Sequence, residues 1–337
     1  MITISLCMIV RNEEQVLARC LDSVADLMDE VIIVDTGSTD QTKAVARRYT
    51  DKIYDFSWND DFAAARNFSF SKATKDYIYC ADADEVLDEV NRRRFLDLKQ
   101  VLLEEVEIVQ MYYCNQLAFN TVYNYDREYR PKLYKRIREF RFIDPIHEMV
   151  RLDPVVYDSE IEIQHLPTAY HGSRDIEHFE KMIADHRTVS QRLHTMYAKE
   201  LFIGGTIDEF SRAMEFFRQS AEDGARSIDE IKEAICILAR GARRLEDTET
   251  FFQYALRGVA CEPPSELCCE LGDYYLEKKN YNEAALWYSN AAFETECILN
   301  IRYQREYPLK QLISCYQAAG NLEAAEEIQL MLDQEIS

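Results

Sequence analysis

The sequence predicts an α/β first half followed by an all-helical second half. Three observations lead there. Apolar strand-type runs alternate with helical spacing through the first half. Those strands end abruptly in polar or acidic residues. From about Arg174 onward the apolar spacing is helical throughout. A chain of 337 residues accommodates about two domains, and 47% hydrophobic with 30% charged residues describes an ordinary globular protein. The expected division is residues 1–173, a connecting helix over 174–200, and a helical domain over 201–337.

Residues 2–10 form the first strand, and Arg11-Asn12-Glu13-Glu14 closes it as a polar loop. Apolar positions at Val16, Leu17, Cys20, Leu21, Val24 and Leu27 predict a helix over 14–27. Residues 30–35 form a continuous apolar strand ending in Asp35. Thr36-Gly37-Ser38-Thr39-Asp40 then makes a turn that opens a helix over 40–49, with Ser38 or Thr39 as its cap. A short strand follows at 52–56. Strands apolar on both faces, in β-α-β-α-β order, predict a parallel sheet covered by helices. In such sheets ligands bind beyond the carboxyl ends of the strands. Helical character returns over 88–105 and strand character over 106–119.

The stretch Tyr77 to Leu87 carries the chemistry. A buried strand delivers Asp82, Asp84 and Glu85 to one rim, which suits a hard cation or a polyhydroxyl ligand. Side chains alternate along a strand, so Asp82 and Asp84 share a side if the extended geometry continues. Asn12 with Glu13, Asp35, and Asp82 with Asp84 form three successive polar strand ends. Arg66, in Asp60-Asp61-Phe62-Ala63-Ala64-Ala65-Arg66-Asn67, is a rare cation nearby. It suits a structural pair with Asp60 or Asp61, contact with a diphosphate, or support of the acidic cluster. Arg130, Lys132 and Arg136 form a basic segment able to neutralise a pyrophosphate or to line a solvated face. Further on, Asp144-Pro145-Ile146-His147-Glu148 pairs a histidine with a carboxylate, and a strand over 161–165 ends in His165, with His171 six residues beyond.

A net charge of −22 argues against a nucleic-acid partner. Over 201–337 acidic residues outnumber basic ones roughly two to one. The ten cysteines include no CxxC pair and mostly sit in apolar runs, which fits buried reduced thiols. The apolar N-terminus lacks a basic leader and is interrupted at once by charge, so it reads as a strand and not a signal peptide. No run approaches transmembrane length. The expected location is the cytoplasm.

These motifs, in this order, resemble the family 2 glycosyltransferases: Ser5 to Glu14, Ile33 to Asp40, Asp61 to Asn67, and Asp82-Ala83-Asp84-Glu85. The resemblance covers roughly residues 1–170 and implies a GT-A fold, the Rossmann-like α/β architecture of nucleotide-diphospho-sugar transferases. The similar branch carries a helical repeat tail and includes lipopolysaccharide-core-like and bacteriocin peptide S-glycosyltransferases. The resemblance implies that Asp35 binds the donor nucleobase, most often uracil, with Asn12 and Glu13 lining the nucleoside pocket. It implies that Asp82 approaches the ribose or sugar and that Asp84 coordinates Mn²⁺ or Mg²⁺ at the diphosphate. His165 is similar to the later histidine that completes such a metal site. Leu166 to Gly172 departs from the family's pattern there, and this leaves His165 and His171 both open. Ile146-His147-Glu148 resembles the branch's His-Glu motif, with Glu148 as the base and Asp144 as second choice. A single in-line displacement would invert the anomeric centre.

In the second half, Leu271-Gly272-Asp273-Tyr274-Tyr275 with Ala284, Tyr288 and Ala291 resembles the tetratricopeptide repeat, whose small residues let helices approach. Leu312, Tyr316, Gly320 and Ala325 begin a second unit. Residues 206–224 and 229–262 read as degenerate units, and a plain helical bundle is the alternative. The expected activity is transfer from a nucleotide-sugar, UDP-linked, to a peptide side chain or to a growing glycan. A homo-oligomer through the helical half is also allowed. Two other classes compete. Ile78 to Leu87 satisfies the strand signature of haloacid-dehalogenase-like phosphatases, but two α/β units precede it here. A non-catalytic scaffold is the other, against which the intact Asp82-Ala83-Asp84 speaks.

Overall fold

Strands apolar on both faces need cover on both faces, and the first half supplies it. The computed structural model describes residues 1–114, 127–136, 142–143, 149–150, 154–166 and 172–336. The chain divides into two compact units, Met1–Tyr170 and His171–Ser337.

In the first unit the strands are β1 (Ile4–Val10), β2 (Glu30–Asp35), β3 (Ile53–Asp55), β4 (Tyr77–Cys80), β5 (Glu85–Val86), β6 (Ile108–Cys114), β7 (Glu128–Lys135) and β10 (Val156–His165). They form one sheet in the order β3-β2-β1-β4-β7-β6-β10-β5. Two short strands, β8 (Phe142–Ile143) and β9 (Met149–Val150), pair separately. Helices α1 (Leu17–Val24), α2 (Thr42–Ala46), α3 (Phe62–Ser71) and α4 (Glu89–Val101) follow the strands. Alternation along the strands divides the core. Leu6, Met8 and Tyr79 pack with α1, α2 and α4 on one face, and Cys7, Ile78 and Cys80 pack on the other beside Ala63 and Phe70 of α3.

The first strands are parallel as expected, and the sheet as a whole is mixed. β3, β2, β1 and β4 are parallel, but β7 runs antiparallel to both β4 and β6. The basic segment Tyr129 to Arg136, open from the sequence to neutralising a pyrophosphate or lining a solvated face, thus falls largely on a central strand. Pro131 is tolerated because the β6–β7 register shifts there, with Val109 opposite Leu133 and Gln110 opposite Pro131.

The second unit is all-helical: α5 (Gly172–Ala184), α6 (Gln191–Gly204), α7 (Ile207–Glu222), α8 (Ile228–Arg244), α9 (Thr248–Val259), α10 (Ser265–Glu277), α11 (Tyr281–Phe293), α12 (Glu306–Ala318) and α13 (Leu322–Ile336). The single helix expected over 174–200 is two helices. His186 takes a left-handed φ of 54°, and the extended Ser190 caps α6 by accepting from the Leu193 N–H. Thr206 with Glu209, and Ser227 with Glu230, form capping boxes at α7 and α8.

The repeat residues do what their spacing implies. A Cβ on Gly272 would lie 2.7 Å from the Tyr288 ring, so α10 and α11 approach as closely as they do only with glycine there. A buried polar network ties α8, α10, α11 and α12 together. Glu270 accepts from Arg240 (2.6 Å) and Arg243 (2.7 Å), Arg243 reaches Asp273 (2.9 Å), and the hydroxyls of Tyr288 and Tyr307 donate to Asp273. Buried Glu266 accepts from the backbone N–H groups of Leu299 (2.7 Å) and Asn300 (2.8 Å), fixing the segment before α12.

Two predictions follow from this packing. Gly272→Ala should lower unfolding stability by about 1–3 kcal/mol through overpacking, despite the helix propensity gained. Chemical denaturation checks this, and an unchanged midpoint would contradict the close approach. In the first unit, burial raises the Glu30 carboxyl, but Lys52, Ser5 and Thr74 overcome this and hold it at about 2 instead of 4.5. A depressed carboxylate stabilises the fold above its unfolded value and loses that contribution as pH falls. Glu30→Gln should therefore cost on the order of 3 kcal/mol near neutrality. The gap from wild type should close between pH 4.5 and about 2 in denaturation curves.

Candidate active site

The carboxyl ends of β1 and β2 are held by reciprocal hydrogen bonds between residues 11–14 and 36–42. The Asn12 N–H donates to Ser38 Oγ (2.9 Å), and the Thr39 N–H donates to Asn12 Oδ1 (2.8 Å). The Glu13 N–H donates to Thr42 Oγ1 (2.7 Å), and Glu14 accepts from the Gln41 N–H (2.8 Å). Asn12 sits at φ 57°, a left-handed position that asparagine tolerates. Its side-chain oxygen is thereby engaged in the turn.

That turn presents Asp35, which is 1% exposed. Oδ1 accepts from the Gly37 and Ser38 N–H groups, both at 3.0 Å, and lies 3.6 Å from Lys43 Nζ. Oδ2 is buried with no hydrogen-bond partner. A buried carboxylate oxygen left in this state is costly unless a further donor reaches it.

On the other side of β1, the acidic stretch leaves β4. Cys7 of β1 pairs with Cys80, and Val10 pairs with Asp35. Asp35 and Asp82 therefore flank the end of β1. Burial alternates from Ala81 to Leu87: Ala81, Ala83, Glu85 and Leu87 are buried, whereas Asp82, Asp84 and Val86 are partly exposed. Asp82 and Asp84 share the more open side, as strand alternation implies.

Asp84 meets His165. Its Oδ2 lies 3.2 Å from His165 Nε2, and both side chains are partly exposed, at 17% and 14%. The two are brought together because β5 pairs antiparallel with β10, with Glu85 opposite His165, and the Leu166 N–H donates to the Asp84 carbonyl (3.0 Å). The His165 ring lies 5.1 Å from that of Tyr113. Among the described residues no group of three His, Cys, Asp or Glu side chains is arranged as a metal cage. An oxygen and a nitrogen donor side by side suit Mn²⁺ or Mg²⁺ that keeps waters or phosphate oxygens as its remaining ligands.

Positive charge is built in around the carboxylates. Arg66 reaches Asp82 Oδ1 (2.8 Å) and Cys80 Sγ (2.7 Å). These contacts fit its role of steadying the acidic cluster. Asp61 instead caps α3, and Asp60 accepts from Trp58. Burial raises the Asp82 carboxyl, but Arg66 and Lys132 hold it well below the ordinary carboxylate range. Glu85 is 2% exposed and bound to the buried Lys132 amine. Burial, with Asp82 and Asp84, pushes its carboxyl up to about 7 against the pull of Lys132. Arg130 stacks over Tyr113 at 3.9 Å and pairs with Glu128, and Arg136 lies at the far end of β7 on the Lys75 carbonyl. Arg130 and Lys132 thus both face the Tyr113 ring, and Arg136 stands apart from them.

Lys132 was legible in the sequence as part of the basic segment, but its buried pairing with Glu85 was not. The signal was Glu85, a third carboxylate too close to the other two to lack a cation. Asp144, His147, Glu148 and His171 lie outside the described residues.

A nucleotide-sugar transferase fold of GT-A type accounts for this sheet with its acidic loop beyond β4. Residues 5–150 match the family described as glycosyl transferase family 2. Curated relatives agree. A TPR repeat-containing protein of Synechococcus elongatus is 39% identical over 158 residues, 44% of this chain and 36% of that protein. The prophage-derived glycosyltransferase SunS of Bacillus subtilis is 35% identical over 102 residues, 30% of this chain and 24% of that protein. The lipopolysaccharide core biosynthesis glycosyltransferase LpsC of Rhizobium meliloti is 24% identical over 196 residues, covering 57% and 68%. The chain thus spans about a third or less of the length of the first two. No helix among the described residues is long and apolar enough to cross a membrane.

Replacing Arg66 with Gln should raise the Asp82 carboxyl toward the ordinary carboxylate range. Carbon-13 NMR titration, with Asp82→Asn to assign the signal, measures this. An unmoved titration would remove Arg66 as the charge that keeps Asp82 ionised.

Proposed function

We propose that the first unit is a metal-dependent, inverting glycosyltransferase that takes a sugar from a uridine-diphosphate-linked donor. The observation that carries this reading is the convergence of Asp84 and His165 beside Asp82. They would hold Mn²⁺ or Mg²⁺ together with the donor diphosphate. Such a cation supplies positive charge against the leaving diphosphate. Asp82 would face the ribose or the sugar, and Arg66 fixes Asp82 from behind. Asn12 and Glu13 hold the turn that bounds the nucleoside pocket.

The preference for uracil has its own support. Asp35 Oδ1 is already engaged, and only Oδ2 remains as an acceptor. One free oxygen matches the single N3–H of uracil. Guanine offers two adjacent donors and would need both oxygens.

In the reaction, the acceptor heteroatom attacks the anomeric carbon as the bond to the diphosphate breaks. The acceptor proton passes to a carboxylate, which we assign to Glu148 from sequence, with Asp144 as second choice. The nucleoside diphosphate leaves on the opposite face, so the anomeric centre inverts.

The acceptor in this reading is a peptide or protein side chain, supported by the helical repeats of the second unit. A glycan acceptor is the second reading, favoured by the name of the Rhizobium relative. Transfer assays with both acceptor types separate the two.

A panel of nucleotide sugars with and without Mn²⁺ tests the central reading. Uridine-linked donors should be hydrolysed or transferred only with metal, and guanosine-linked donors should not. Asp84→Asn and His165→Gln should each lower turnover by roughly a hundredfold or more. Glu148→Gln should lower transfer by about 10²–10⁴-fold. No response to any donor would sink the proposal, and full activity in Glu148→Gln would remove that residue as base.

A further inference from the structure

We infer that the buried Glu85–Lys132 pair is a positioning element that holds Asp84 against His165. The inference rests on the reading of Asp84 and His165 as ligands for a divalent cation.

β5 is two residues long and lies at the sheet edge, paired to β10 through Val86–Gln164 and Glu85–His165, with the Leu166 N–H on the Asp84 carbonyl beside them. So little backbone pairing holds an edge strand weakly. Yet β5 must fix the residue just before it, Asp84, to within hydrogen-bonding reach of His165 on another strand. Successive side chains point to opposite sides, so Glu85 turns inward where Asp84 turns out. Inside, Glu85 meets the Lys132 amine, which comes from the central strand β7. The same amine sits over the Tyr113 ring at 5.1 Å, and that ring lies 5.1 Å from His165. Lys132 therefore touches the supports of both Asp84 and His165.

Stability does not explain such a pair. A buried ion pair contributes little relative to an apolar pair of similar volume, because desolvation offsets the attraction. Glu85 also leaves Oε2 buried with no hydrogen-bond partner. What the pair does supply is direction. It anchors a short edge strand to the middle of the sheet at one point, as groups behind metal ligands commonly do.

The test compares wild type with Glu85→Gln, Lys132→Met and the double variant E85Q/K132M. Mn²⁺ binding in the presence of UDP is followed by the EPR signal of free Mn²⁺, and thermal unfolding is recorded without metal. Each single variant leaves one buried group uncompensated and should unfold earlier, whereas the double variant should recover near wild-type unfolding. All variants that fold, the double included, should bind Mn²⁺ about 10–100-fold more weakly. A purely structural pair predicts recovery of both properties in the double variant, so wild-type Mn²⁺ affinity there overturns the inference. Failure of the wild type itself to bind Mn²⁺ with UDP overturns the functional reading along with it.

Discussion

Three carboxylates within four residues repel one another, and the first unit is arranged around relieving that repulsion. Arg66 from α3 approaches Asp82 from one side, and Lys132 from β7 meets Glu85 from beneath. Asp84 is left for His165. Each partner arrives from a different element, so the acidic loop is defined only when β4, β7, β10 and α3 are all in place. The insertion of β7 antiparallel between β4 and β6 puts a lysine where a parallel strand order would have ended in a loop.

The two carboxylate-bearing strand ends, at β2 and β4, are built differently. At β2, backbone donors hold Asp35 in hydrogen bonds, carried by a stitched pair of turns, and the Lys43 amine stands farther off at 3.6 Å. At β4, full charges hold the carboxylates. This division suits a ligand that is a neutral base at one end and a polyanion at the other. The neutral end needs one directed acceptor in a rigid frame, and the charged end needs a balance of charge that a cation and a diphosphate can enter together.

Much of this was legible in the sequence because it is local. The strands ending at Val10, Asp35 and Cys80 are continuous apolar runs, and the polar groups beyond them follow from strand alternation. His165 was legible as the end of an alternating run. What was not legible is long-range. Tyr129 to Arg136 was open to neutralising a pyrophosphate or lining a solvated face because Arg130, Pro131 and Lys132 mask a strand, and Lys132 finds its partner Glu85 across the sheet. The direction of β7 is likewise a tertiary outcome. The break between α5 and α6 was hidden because apolar spacing continues through Met182 and Val189, while the turn rests on the conformation of His186 and the cap at Ser190. In the second unit Gly272 and Tyr288 were legible as a close helix contact. The Arg240–Glu270–Arg243–Asp273 network was not, because it joins helices distant in sequence.

The central claim is that Asp84 and His165 share one metal ion with the donor diphosphate. Pulsed EPR of Mn²⁺ bound in the presence of UDP reads this directly. The account predicts nitrogen-14 modulation from one imidazole together with phosphorus-31 coupling, with the nitrogen signal lost and the phosphorus signal kept in His165→Gln. Phosphorus coupling with no nitrogen modulation in the wild type would contradict it.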